Sequence, residues 1–332
     1  MKVSIIGGGT WGTAFAIHLG RLKIETQLWI REKEVVEEVL QYRENRTFLP
    51  GYVFPPTVSF FHDIKDALSS AKTVFIAVPS KFCRKIYEQI APHLSPQHMI
   101  VSLTKGIEEG SLKTMSGVMK EVFSPYFIPR IAVLSGPSFA KEVAESHPTA
   151  VVLASREIKQ AKKIQHSISS PVFRTYTSDD IIGVELAGAV KNVIAIAAGI
   201  SDSLQFGSNS VAALVTRGIA EMTRLGVQLG AIQETFAGLA GIGDLVLTCT
   251  GKLSRNHYVG MELGKGKSLD EIVSSMKMVA EGITTTLSVH QLAKKEKIEM
   301  PICEQVFQVL YKNKNPRKAL QNLMSRKLKS EY

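Results

Sequence analysis

Glu185 to Gly199 is a run of small and aliphatic residues without proline, and it carries one lysine and one asparagine side by side, Lys191 and Asn192. The composition predicts a buried helix. An ammonium inside such a rod is disfavoured by desolvation, which lowers its pKa. A lysine so lowered can give and take a proton near neutral pH. The alternative is a lysine whose stem lies along the core while its amine reaches water.

Other chemistry-bearing residues lie at a distance in sequence. Asp244 is the lone carboxylate of the glycine-rich apolar stretch Ala237 to Cys249. A buried, unpaired charge is costly, so Asp244 needs a partner, and Lys191 is the obvious one. Alternatively Asp244 caps a helix beginning at Leu245. Lys105 stands in Thr104-Lys105-Gly106, immediately after a strand-like run. Ser254-Arg255-Asn256 opens a helical stretch; an N-cap serine, unpaired amides and an arginine there suit a phosphate, although a plain surface cap competes. Glu281 precedes another helix start, where it complements the helix dipole. Ser138, after Gly136-Pro137, reads as an N-cap that also borders the ligand.

These residues need a scaffold. Lys2 to Ile6 is a β-branched strand followed by Gly7-Gly8-Gly9-Thr10-Trp11-Gly12 and a helical run, so Gly7, Gly9 and Gly12 satisfy GxGxxG. Such glycines make a tight turn, admit a pyrophosphate and let the helix pack on the strand. A second strand, Thr26 to Ile30, follows at βαβ distance. Its end carries Arg31, which accepts a 2′-phosphate or stacks on adenine, then Glu32, which keeps NAD in play beside NADP. Further strand-like runs (Thr73 to Val78, Met99 to Leu103, Arg130 to Leu134, Val151 to Ser155) alternate with helical stretches, predicting a doubly wound parallel sheet. A last extended piece covers Val172 to Thr175. Beyond about residue 178 the pattern is helical, placing a dinucleotide-binding α/β domain at 1–177 and an all-α substrate domain at 178–332.

The 332 residues carry a formal charge of +10. Part of the excess lies between Lys312 and Lys329, which reads as a solvated helical end. No zinc-finger or RNP-like pattern accompanies it, which argues against nucleic acid; small anions suit the charge better. No uncharged apolar run is long enough for a membrane span, and no signal peptide is read at the N-terminus. Cys83, Cys249 and Cys303 are odd in number, far apart and without metal-ligand spacing, which fits a reducing cytoplasm and no metal.

Taken together, Gly7 to Gly12, Thr104 to Gly106, Ser135 to Ala140, Gly188 to Asn192, Gly241 to Leu245 and Ser254 to Asn256 resemble the bacterial NAD(P)-dependent glycerol-3-phosphate dehydrogenases over nearly the whole chain. The resemblance implies reduction of dihydroxyacetone phosphate to glycerol 3-phosphate for phospholipid synthesis. Lys191 would be the proton donor and acceptor, with Lys105 and Asp244 in the same substrate site. Gly136 and Ser138 would line the substrate, and Ser254, Arg255 and Asn256 would hold its phosphate. Thr10, Trp11, Arg31, Lys105, Ala140, Arg255, Val279 and Glu281 would border the cofactor, and the enzyme would be a homodimer. Asn192 is expected to bind or orient the substrate. Two rivals stand: a β-hydroxyacid or ketopantoate-type reductase, which has no need of a phosphate site, and a non-catalytic dinucleotide sensor, which leaves Lys191 and Asp244 without a purpose.

Overall fold

The computed structural model describes residues 1–276, 278–328, 330 and 331; Lys329, at the end of the basic stretch, lies outside them. The chain forms two compact units, Met1–Lys105 with Lys113–Glu185, and Gly106–Leu112 with Leu186–Tyr332.

In the first unit, strands and helices alternate: β1 (Lys2–Ile6), α1 (Thr10–Arg21), β2 (Glu25–Trp29), α2 (Lys33–Tyr42), β3 (Val58–Phe61), α3 (Ile64–Leu68), β4 (Thr73–Ile76), α4 (Ser80–Ile90), β5 (Met99–Ser102), α5 (Met115–Phe123), β6 (Arg130–Ser135), α6 (Ala140–Ala144), β7 (Thr149–Ser155), α7 (Ile158–Ile168) and β8 (Phe173–Ser178). They build one sheet in the order β3-β2-β1-β4-β5-β6-β7-β8. In β1, Ile5 pairs with Leu28 on one side and Phe75 on the other. Successive strand residues face opposite sides. Val3, Ile5 and Phe75 accordingly join one core layer, with Phe15 of α1 and Phe173. Ile6, Val74 and Ile76 join the other, with Tyr87 of α4 and Met119 of α5. Helices covering both faces make the sheet doubly wound, as the sequence predicts.

Two features differ from the sequence reading. Strand β3 is additional to the runs read from sequence; its signal is only four residues long, with Val58 and Phe60 buried and Ser59 exposed between them. The sheet is also not parallel throughout, because β7 runs antiparallel to β6, with β8 parallel to β7. The link between β6 and β7 contains only the five-residue α6. That helix advances the chain by about 7.5 Å, against about 20 Å for the six-residue β6. The chain therefore starts β7 where β6 ended.

The second unit is helical. The long α8 (Ile181–Ser203) begins in the first unit and continues into the second, followed by α9 (Ser208–Gln228), α10 (Gln233–Phe236), a π-helical turn (Leu239–Gly243), α11 (Asp244–Thr250), α12 (Arg255–Gly264), α13 (Leu269–Ser275), α14 (Glu281–Lys295), α15 (Pro301–Lys312) and α16 (Pro316–Met324). No strand is present here among the described residues. Helix α8 is long and apolar enough to cross a membrane by composition, but 94% of its most apolar window is buried inside the fold. It packs closely on α12: a Cβ at Gly199 would meet the His257 carbonyl at 2.1 Å, and one at Gly260 the Ile196 carbonyl at 2.1 Å. Glycine at both positions brings the two backbones into contact. The buried Glu221 of α9 accepts from the amides of Ile302 and Cys303 at 2.7 and 3.2 Å, capping α15. In the basic stretch, Arg317, Lys318, Arg326 and Lys327 are exposed, in agreement with a solvated end.

Candidate active site

In the first unit the loop after β1 is shaped by its glycines. Gly7 has φ +119°, in the region that favours glycine, and a Cβ there would lie 2.6 Å from the Ala77 carbonyl. A Cβ at Gly12 would lie 1.9 Å from the Gly7 carbonyl, so α1 can press on the turn only without a side chain. At Gly9 an added Cβ meets nothing within 4 Å. The turn is thus closed where the protein packs on itself and open where the backbone faces outward. Gly9 is also the N-cap of α1 and offers no capping side chain, so the helix start presents its amides to a ligand.

Asn45, fully buried, supports this loop: its Nδ2 donates to the Gly8 carbonyl at 2.8 Å and to Thr13 Oγ1 at 2.9 Å. Sequence reasoning missed Asn45, which lies outside any motif and is brought there by the chain following α2. Thr10 Oγ1 donates to the Phe48 carbonyl at 3.2 Å, and half-buried Trp11 stacks on Phe15. Arg31 follows β2 and is bound by Glu32, whose Oε1 accepts from Nε at 2.9 Å and Nη2 at 2.5 Å.

The loops after β5 and β6 meet at one carbonyl. Gly136 O accepts from Lys105 Nζ at 2.9 Å and from Ser138 Oγ at 3.0 Å. Gly136 has φ +135°, and a Cβ would crowd Val151 Cα at 3.0 Å. The expectation that Ser138 caps a helix is corrected here: α6 starts at Ala140, so Phe139 occupies the N-cap position. The Ser138 hydroxyl is drawn instead to the carbonyl two residues back.

In the second unit Lys191 and Asp244 do meet. Lys191 Nζ donates to Asp244 Oδ1 at 2.8 Å and to Thr248 Oγ1 at 2.6 Å. Their side chains are 7% and 2% exposed, which rules out a lysine reaching for water. Asp244 is the first residue of α11, but its carboxylate faces the lysine, so the capping alternative does not describe it. Thr248, one turn along α11, donates its own proton to the Asp244 carbonyl at 2.6 Å while accepting from the ammonium. The carboxylate and the hydroxyl together replace the hydration that burial removes from the lysine. Thr248 was not singled out from the sequence; the signal was its spacing of four from Asp244, which puts both on one helix face. Nearby Cys249 has its thiol pushed up to about 12 by burial, with Lys191 opposing, so it stays protonated.

Asn192, beside the lysine, donates to the Gly188 carbonyl at 3.3 Å and accepts from Asn256 Nδ2 at 2.8 Å. Asn256 Oδ1 in turn accepts from the Gly282 amide at 2.9 Å. These two amides join α8, α12 and α14. Ser254 is the N-cap of α12, accepting from the His257 amide at 3.2 Å, as its sequence context predicts. Arg255, the next residue, is exposed; partial desolvation lowers its pKa, Glu281 opposes the shift, and an arginine so placed remains a cation. Glu281 opens α14, with Val279 half-buried just before it. No group of three or more His, Cys, Asp or Glu suited to a metal occurs among the described residues.

Family models describe both halves of the chain: the NAD-dependent glycerol-3-phosphate dehydrogenase N-terminus matches residues 2–161 and the corresponding C-terminus residues 180–321. The chain belongs to the NAD-dependent glycerol-3-phosphate dehydrogenase family. It is 50% identical to the glycerol-3-phosphate dehydrogenase [NAD(P)+] of Citrifermentans bemidjiense, over 99% of this chain and 98% of that one. It is 51% identical to the enzyme of the same name from Koribacter versatilis, over 98% and 97%. Its fold matches the crystal structure of the glycerol-3-phosphate dehydrogenase of Coxiella burnetii with a TM-score of 0.94, 41% identity and coverage of 98% and 99%. A ketopantoate reductase from Ralstonia eutropha, of the rival reductase class, shares the fold alone, with a TM-score of 0.60 at 15% identity.

The first unit fits the dinucleotide of this dehydrogenase family on its own geometry. Gly9 leaves the space that a side chain would fill, and the α1 amides face it. Lys191, Asp244 and Thr248 form a buried acid–base cluster suited to the proton half of a carbonyl reduction.

Proposed function

We propose that this chain reduces dihydroxyacetone phosphate to sn-glycerol 3-phosphate, reversibly, with NADPH or NADH. The dinucleotide, when bound, supplies the hydride. Lys191 supplies the proton: its ammonium stabilises the alkoxide developing at the carbonyl oxygen, gives it a proton and is reprotonated from solvent. In the oxidative direction the neutral amine takes that proton back. The observation that carries this reading is the Lys191 ammonium, buried in an apolar helix and bound to Asp244 and Thr248.

Residues 1–177 are assigned the dinucleotide and 178–332 the substrate. Gly7, Gly9, Thr10, Trp11, Gly12, Arg31, Lys105, Ala140, Arg255, Val279 and Glu281 are assigned to the cofactor. Lys105, Gly136, Ser138, Asn192, Asp244, Ser254, Arg255 and Asn256 join Lys191 on the substrate. Support for the phosphate end comes from Arg255, an exposed cation at the start of α12. Binding energy gathered at a phosphate fixes the carbonyl for reaction, so it serves orientation. A cytoplasmic setting suits three buried free thiols. A homodimer accords with the commonest symmetry of soluble enzymes. The product is assigned to phospholipid synthesis.

The test is loss of NADPH or NADH absorbance on adding dihydroxyacetone phosphate, with dihydroxyacetone as comparison. Turnover of the phosphorylated ketone, and little of the other, is expected. No turnover with either cofactor refutes the reading.

A further inference from the structure

The first turn of α12 is tied to α8 by a side-chain pair that the acid–base cluster does not use. His257 is the third residue of α12, and its Nε2 lies 2.7 Å from Oδ2 of Asp202, near the end of α8. An ionised carboxylate only accepts, so Nε2 carries the proton and donates it. The pair meets water, with side chains 15% and 41% exposed for His257 and Asp202. At that exposure an ion pair contributes little to stability, so what this one supplies is position.

Asn256, one residue before His257, donates to Asn192 Oδ1 at 2.8 Å. Asn192 and Asp202 stand ten residues apart on α8, about 15 Å along its axis. Adjacent residues of α12 thus reach to well-separated points on α8, which fixes the rotation of the turn as well as its place. The His257 backbone has no slack, since a Cβ at Gly199 would meet its carbonyl at 2.1 Å. Its amide donates to Ser254 Oγ at 3.2 Å, so His257 also sets where that hydroxyl sits. Arg255 is exposed between Ser254 and Asn256, and the backbone beneath it decides where its guanidinium can reach. Lys191 precedes Asn192 on the same helix, so one rod spaces the turn from the ammonium.

We propose that His257 and Asp202 are positioning residues for the substrate's phosphate. They lock the first turn of α12 so that Ser254 and Arg255 meet the phosphate at a fixed distance from the carbonyl that Lys191 protonates. Neither touches the substrate; both act through the turn. This deepens the reading of α12 as the phosphate end of the site and rests on it.

The test compares, in the full chain, kcat/KM for dihydroxyacetone phosphate with that for dihydroxyacetone, and measures inhibition by inorganic phosphate. Displacing the groups that orient a substrate by about an ångström costs about tenfold or more. His257→Ala and Asp202→Ala should each lower the preference for the phosphorylated ketone by about tenfold and weaken inhibition by phosphate to a similar extent. The rate with dihydroxyacetone should stay within about twofold. The double variant should lose no more than either single one, because the two side chains form one contact. His257→Gln, which keeps a donor of similar reach, should recover most of the preference. Parent-like preference in both alanine variants overturns the proposal, as does an equal loss with both ketones, the result of a general loosening of the helices. If the parent itself does not prefer the phosphorylated ketone, the reading of α12 as a phosphate site fails, which is a distinguishable result.

Discussion

Replacing Lys191 with methionine keeps an unbranched side chain of similar volume and removes the ammonium. Two separate losses follow from the geometry. General acid–base catalysis contributes about 10²–10⁴ in rate, and a donor aimed at a developing oxyanion about 10²–10³. One group performs both tasks here, so the two do not multiply in full, and kcat should fall by about 10⁴. Stability falls for a different reason. Asp244, only 2% exposed in its side chain, loses the 2.8 Å contact with Lys191 and retains Thr248 Oγ1 at 3.4 Å. Breaking a buried pair from one side costs about 3–5 kcal/mol. Asp244 keeps other interactions besides Lys191, which puts the expected value near the lower end, about 3 kcal/mol.

A second variant separates the two effects. Lys191→Met combined with Asp244→Asn removes the buried negative charge that the ammonium balanced, so most of the lost stability should return while the rate stays low. Urea unfolding reads the first quantity, and NADPH oxidation with dihydroxyacetone phosphate reads the second. A folded Lys191→Met enzyme with kcat within about tenfold of the parent would refute the proton-transfer role. Recovery of rate in step with stability in the double variant would refute it too, since activity would then have been lost through unfolding.

Two further predictions concern the first unit. Gly9→Ala should leave thermal stability unchanged, because its Cβ meets nothing within 4 Å, yet weaken dinucleotide binding measured by calorimetry. Gly12→Ala should instead destabilise the fold by about 3 kcal/mol or more, its Cβ falling 1.9 Å from the Gly7 carbonyl; equal unfolding midpoints for the two variants would contradict this. His18 gives a pH dependence: burial pulls its pKa below 6.5, the Ile168 carbonyl opposes this, and Arg21 lowers it further. Between the native value and 6.5 the unfolded chain binds more protons than the folded one, so this contribution holds above about 6.5 and is lost as pH falls below it. His18→Gln should flatten the acid limb of stability against pH, and superimposable profiles for variant and parent would count against the assignment.

Legibility in the sequence followed the range of the interaction. The glycine loop was readable because strand, turn and helix succeed one another within one βαβ unit, and the backbone packs at Gly7 and Gly12 where no Cβ would fit. The N-cap role of Ser254 was readable for the same reason, being local to the start of α12. The reversal of β7 was not, since it depends on how far a five-residue helix carries the chain rather than on any residue type. Asn45 escaped because its partners, Gly8 and Thr13, lie 37 and 32 residues away, and nothing in the intervening sequence marks a buried amide.

The lysine site shows where such reading stops. An ammonium in an apolar helix can be recognised from composition, and the need for an acidic partner follows from the cost of burying charge. The partner's identity, 53 residues on, was reachable because Asp244 is the one carboxylate in an apolar stretch. Thr248 was not reachable in that way, because a threonine in a helix is ordinarily satisfied by the carbonyl one turn back, and this one is so satisfied, at the Asp244 carbonyl. Only the packing of α11 on α8 turns its lone pair toward the ammonium. The same hydroxyl therefore does two things: its proton tightens the first turn of α11, which holds Asp244 in place, and its oxygen solvates the lysine. A change at Thr248 must act on both, so its effect on the proton-transfer group cannot be smaller than the effect of the contact alone.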